Sequence, residues 1–194
     1  MRIAEVERKT AETQIKSRVN VDGTGRFQIE TGVGFLDHLL SALTFHAQFD
    51  LDLEAHGDQH VDNHHTVEDC ALVLGRALDQ ALQERKGLHR FASVHLPMDE
   101  ALAFVALDLS GRPYAVVQAK WNGPSVGGIA TSLVPHFLES FAFSARTTLH
   151  ASVVYGRDDH HKSEALFKAL GVALRSACGI DKRRGVASTK GTLT

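Results

Sequence analysis

With 194 residues and 43% hydrophobic content, the chain has enough apolar material for one ordinary domain or two small packed halves. Its 21 Lys+Arg against 23 Asp+Glu leave a formal net charge of −2, a balance that argues against nucleic acid or an anionic membrane as partner and leaves small molecules or protein chains. No apolar run reaches membrane-spanning length, and residues 1–10 are charged from the second position without the apolar core of a signal peptide, so a cytoplasmic protein is expected.

In chain order, the first periodic segment is FLDHLLSALTFHAQFDLDL (35–53), a helix carrying a lone histidine, His38, that leads into a strand alternating at period two through FDLDLEAHG. A polar loop follows, and a second helix opens at the pair His64-His65. Residues 101–121 read as two strands joined around Ser110-Gly111-Arg112-Pro113, a turn signal. LVPHFLESFAFSARTTLHASV (133–153) then repeats the first segment, setting His136 over His38. HHKSEALFKALGVAL (160–174) repeats HHTVEDCALVLGRAL (64–78), setting His160, His161, Glu164, Gly171 and Leu174 over His64, His65, Glu68, Gly75 and Leu78.

The offset is 98 residues in the first block and 96 in the second, as a two-residue indel in the connecting loop would give. The prediction is an α+β fold of duplicated half-domains, 1–90 and 91–180, each a mixed β-sheet with two helices, packed together. The tail, 181–194, has no periodicity and is expected to be disordered or ordered by a ligand. Cys70 and Cys178 belong to no CxxC pair and read as buried free thiols.

Twelve histidines are about three times a usual share of ~2%. On a helix, His-His-x-x-Glu places its imidazoles roughly 100° apart with the carboxylate between them. Such a pair serves one ion poorly but can feed two metals. With His38 and His136 the chain offers six imidazoles and two carboxylates, His38, His64, His65, Glu68, His136, His160, His161 and Glu164, or four ligands for each of two metals. Mixed imidazole and carboxylate donors with open positions suit octahedral Mn²⁺, Fe²⁺, Co²⁺ or Ni²⁺ better than structural zinc, and Mn²⁺ is the first choice. Open positions imply catalysis. Arg90, Arg112 and Lys190 stand beside small or turn-forming neighbours, as phosphate contacts do. The carboxylates of KTAET (9–13) and MDEA (98–101) are candidates for proton transfer, and spacing does not choose among them.

RKTAET, DGTG, GVGFLDHLL, HVDNHHTVED, ERKGLHRF, PMDEALA, DLSGRPY, PHFLESFA, HHKSEALFKAL and STKGTL form a colinear series in which the chain resembles the imidazoleglycerol-phosphate dehydratases nearly end to end. The resemblance implies a ribosomal protein S5 domain 2-like fold. It also implies a lyase with two Mn²⁺ per active site, acting on a phosphorylated imidazole substrate in histidine biosynthesis. Glu12 would be the acid/base, and Arg90, Arg112, Ser188 and Lys190 would hold the phosphate, joined by Lys168. A 24-subunit particle with sites shared between chains is implied too, so the division of ligands between the metals stays open. Asp158, Leu138 and Ala187 depart from the family pattern; none is a proposed ligand. The competing readings are a dimetal phosphate-ester hydrolase, which would want a site richer in aspartate, and a non-catalytic metal-binding assembly.

Overall fold

The computed structural model describes residues 1–183, 185–191 and 193. Its first half comprises β1 (Ile3–Lys9), β2 (Thr13–Asn20), β3 (Phe27–Glu30), α1 (Gly34–Ala47), β4 (Asp50–Gly57) and α2 (His64–Leu82). The second comprises β5 (Phe91–Met98), β6 (Ala101–Asp108), β7 (Tyr114–Gln118), a small hairpin of β8 (Ser125–Val126) and β9 (Ile129–Ala130), then α3 (Leu133–Ser144), β10 (Thr148–Tyr155) and α4 (Asp159–Ala177). The sheets run β1-β2-β4-β3 and β5-β6-β10-β7, each antiparallel except for a parallel last strand. The two halves are therefore similar, and the duplicated α+β architecture stands.

β6 and β7 flank the Ser110–Pro113 turn but do not pair with each other, because β10 lies between them. Described residues of the tail lie against the body of the fold: Asp181 N–H donates to the Gly87 carbonyl, Gly87 N–H to the Gly185 carbonyl, and Leu193 is buried beside Gly111. Cys70 and Cys178 are buried free thiols. No helix among the described residues is long and apolar enough to cross a membrane.

Alternation sets the faces. β2 buries Ile15, Ser17 and Val19, and β4 buries Leu51, Leu53 and Ala55, all against the helices. Each large aliphatic side chain so buried is worth roughly 1.5–3 kcal/mol. The outward positions of this sheet form a charged lattice in which Arg18 pairs with Glu5 and Asp52, and Lys16 with Glu7. The outward positions of the other sheet differ: Pro97, Leu102, Phe104, Ala106, Tyr114 and Val116 share them with His95, His150 and Ser152. β5 carries Pro97 because it is an edge strand, where a missing N–H costs no ladder bond.

The helices pack crosswise between the halves, α1 on α4 and α2 on α3, within one continuous core. Glycine permits both crossings. A Cβ at Gly171 would lie 2.4 Å from the Leu43 carbonyl oxygen, and one at Gly75 would lie 2.6 Å from that of Phe141. These approaches bring the lone-histidine helix of each half against the His-His helix of the other.

Candidate metal centre

α4 begins at Asp158, an extended residue whose side chain accepts the His160 backbone N–H at 2.7 Å and so caps the helix. Asp62 accepts the His64 N–H at 2.8 Å with the same two-residue spacing, one residue before Asn63, the N-cap of α2, whose own side chain makes no cap bond. The departure at Asp158 thus repeats what the first half does. Each of these aspartates holds the first turn from which a histidine pair projects. Within each pair the rings point apart, with centroids 6.0 Å and 6.1 Å away and planes nearly perpendicular.

The first histidine of each pair meets its own helix's glutamate and the lone histidine of the opposite half. Glu68 Oε2 lies 3.4 Å from both His64 Nε2 and His136 Nε2. Glu164 Oε2 lies 3.2 Å from both His38 Nε2 and His160 Nε2. In each trio the ligand atoms all fall within 4.8 Å of one another. With metal–donor bonds of about 2.2 Å, adjacent donors on an octahedron sit roughly 3 Å apart, so both trios fit a metal. His136 Nε2 is buried without a hydrogen-bond partner, an orphan atom that such an ion would satisfy. Phe35 walls the second trio, its ring 5.1 Å from His160 and 6.1 Å from His38.

The second histidine of each pair stays outside the trio. His65 Nδ1 is 3.1 Å from Asp58 Oδ2, and His161 Nδ1 is 2.7 Å from Glu100 Oε2. These carboxylates raise both imidazole pKa values by stabilising the imidazolium. Glu100, which accepts the backbone N–H groups of Asp158 and Arg157 as well as His161, is lowered to about 2. Each free Nε2 faces a carboxylate in a strand-connecting turn: Glu12 at 3.9 Å from His65, Asp99 at 3.6 Å from His161.

The cationic residues gather elsewhere. Arg90 forms a two-pronged pair with Asp108 and donates through Nη1 to the Ala187 carbonyl at 2.5 Å. Arg112 approaches the same aspartate at 3.9 Å, and Ser188 Oγ accepts the Lys190 N–H. Arg90 N–H bonds the Ala177 carbonyl at the C-terminal end of α4, whereas His160 and His161 stand at its N-terminal end. About 26 Å of helix separates them. Lys168 lies on the histidine side, its Nζ 2.7 Å from Glu164 Oε1. His46, one face of α1 along from His38, has its pKa lowered by burial and by the Lys168 charge. Asp58 lies in no quoted motif, whereas Asp62, Glu100 and Asp108 lie within HVDNHHTVED, MDEA and DLSGRPY; of these Glu100 is a proton-transfer candidate that the structure instead pairs with His161 Nδ1, and each pairing depends on strand register and turns.

The model of the imidazoleglycerol-phosphate dehydratase family matches residues 31–174. An imidazoleglycerol-phosphate dehydratase of Roseiflexus sp. strain RS-1 is 55% identical over 99% of this chain and 98% of its own length. That of Methanosarcina mazei is 51% identical over the whole of both chains. Among solved structures, the Staphylococcus aureus enzyme superposes with a TM-score of 0.84 at 36% identity, covering 92% of this chain and 99% of that one. The Pyrococcus furiosus enzyme, in complex with (S)-C348, gives 0.82 at 37% identity, covering 96% and 99%.

Proposed function

The chain belongs to the imidazoleglycerol-phosphate dehydratase family, hydro-lyases of histidine biosynthesis, and we propose that it removes water from D-erythro-imidazole glycerol phosphate to give imidazole acetol phosphate, in the cytoplasm, with two Mn²⁺ per active site. The doubled His-His-Glu trio carries this reading. Bound metal would supply Lewis acidity toward the substrate imidazole and the departing hydroxyl. The trios His38/His160/Glu164 and His64/Glu68/His136 would hold it. His65 and His161, each steered through Nδ1 by a carboxylate, offer Nε2 as the fourth ligand. Glu12, half-exposed on a turn, holds or moves the proton that the dehydration requires.

Arg90, Arg112, Ser188 and Lys190 take the phosphate, with Asp108 fixing the Arg90 fork. A substrate of this size cannot span the length of α4, so the phosphate edge of one copy closes on the metal edge of another. Self-association, into the 24-subunit particle that the resemblance implies, follows from that separation. The apolar outer face of the β5-β6-β10-β7 sheet gives the copies a surface to bury. A phosphate-ester hydrolase is less well supported, because both trios lack aspartate.

The test is turnover of imidazole glycerol phosphate by metal-stripped protein before and after Mn²⁺ is added. Restored formation of imidazole acetol phosphate is expected, with Glu12→Gln still binding metal but turning over about 100-fold or more slowly. Folded, metal-loaded protein that forms no product would overturn the lyase reading.

A further inference from the structure

The two trios share a plan but not an electrostatic setting. Lys168 on α4 and Leu72 on α2 occupy the same place in the repeat, four residues beyond the glutamates Glu164 and Glu68. The Lys168 ammonium lies 2.7 Å from Glu164 Oε1, the partner oxygen of the one that faces His38 and His160. Leu72 brings no charge to Glu68, and its carbonyl accepts the Ser144 hydroxyl. The facing helices repeat the contrast: His46 on α1 senses Lys168, while Ser144 stands at the matching place on α3. The Glu164 side chain is 8% exposed and that of Glu68 is 36% exposed, so water screens the lysine's trio less.

Resting on the metal-centre reading above, we propose that the two sites load in order, the His64/Glu68/His136 site first and tightly, the His38/His160/Glu164 site second and more weakly. A divalent ion entering the second site must share Glu164 with an ammonium already bound to it. Even with water-like screening over about 6 Å, repulsion between a 2+ and a 1+ charge amounts to about tenfold in affinity, and weaker screening widens the gap. Without metal, Lys168 also supplies the partner that the buried Glu164 needs, so the second trio is preset. The weaker site then decides whether a half-loaded protein becomes active, tying activity to free metal concentration.

Mn²⁺ titration of the stripped protein, with free Mn²⁺ followed by electron paramagnetic resonance, tests this directly. We expect two classes of site, one ion each per chain, separated about tenfold or more. His38→Ala should remove the weaker class and His136→Ala the tighter. Lys168→Met should tighten the weaker class about tenfold, whereas Lys168→Arg should keep the gap. Leu72→Lys should weaken the tighter class. A single class in the parent, or a gap that Lys168→Met and Leu72→Lys both leave unchanged, overturns the ordering but not the metal centre. Absence of Mn²⁺ binding by folded protein overturns both.

Discussion

An imidazole tied at Nδ1 to a carboxylate presents Nε2 in a fixed direction, and His65 and His161 are each held in that way. A different aspartate shows what a dense donor set does to a carboxyl group. Asp50 accepts the Thr24 and Arg26 backbone N–H groups together with Asn20 and Arg26 side chains, and its pKa falls from 3.8 to about 2. Because the folded value is depressed, its contribution to stability is full above pH ~4 and is lost as pH falls through about 2. Asp50→Asn should therefore cost roughly 2 kcal/mol at neutral pH, and the difference from the parent should close between pH ~4 and ~2 in urea unfolding of metal-stripped protein. A constant difference across that range would refute the assignment. Residue-level signals in the sequence were unequal. Repeated histidines announce themselves by type and spacing. Asp58 and Asp108 look like any surface acid until folding sets them beside His65 and Arg90, and Glu100, singled out among the MDEA carboxylates, is found bracing His161.

At the scale of elements, the two glycine crossings decide whether the trios exist. Gly171→Ala would force its methyl group into the Leu43 carbonyl, pushing α1 from α4. The expected cost is about 1–3 kcal/mol of overpacking. Mn²⁺ affinity at the His38/His160/Glu164 trio should fall while the other trio is spared, as His136→Ala and His38→Ala backgrounds would resolve in the same titration. Equal loss at both trios would point to general destabilisation instead. The helices and the strands β4 and β10 were legible because apolar periodicity and the repeat coincide there. β1, β2 and β5 drew no prediction, although Ile15, Ser17 and Val19 alternate cleanly, because charged outward positions surround a short apolar set. The placement of β10 between β6 and β7 was beyond any local pattern, since it depends on a pairing between strands some forty residues apart in sequence.

At the scale of the whole molecule, the two outer sheet faces predict opposite fates. The charged lattice of Glu5, Arg18 and Asp52 remains stable in water. The face carrying Leu102, Phe104 and Val116 would be better covered. Phe104→Glu should yield a folded but smaller species in sedimentation velocity, with the far-ultraviolet circular dichroism unchanged and turnover reduced in proportion to the loss of assembled particles. Unchanged mass would remove this face from the proposed assembly.

The crosswise packing of helices also constrains the history of the chain. Neither half alone possesses a trio, since each trio takes its lone histidine from one half and its His-Glu pair from the other. A single-copy ancestor could have assembled one only as a two-fold dimer, and symmetry would have given it two identical centres. Fusion of two copies would remove that constraint. From then on the positions now held by Lys168 and Leu72 could diverge, and two equivalent centres could become a graded pair.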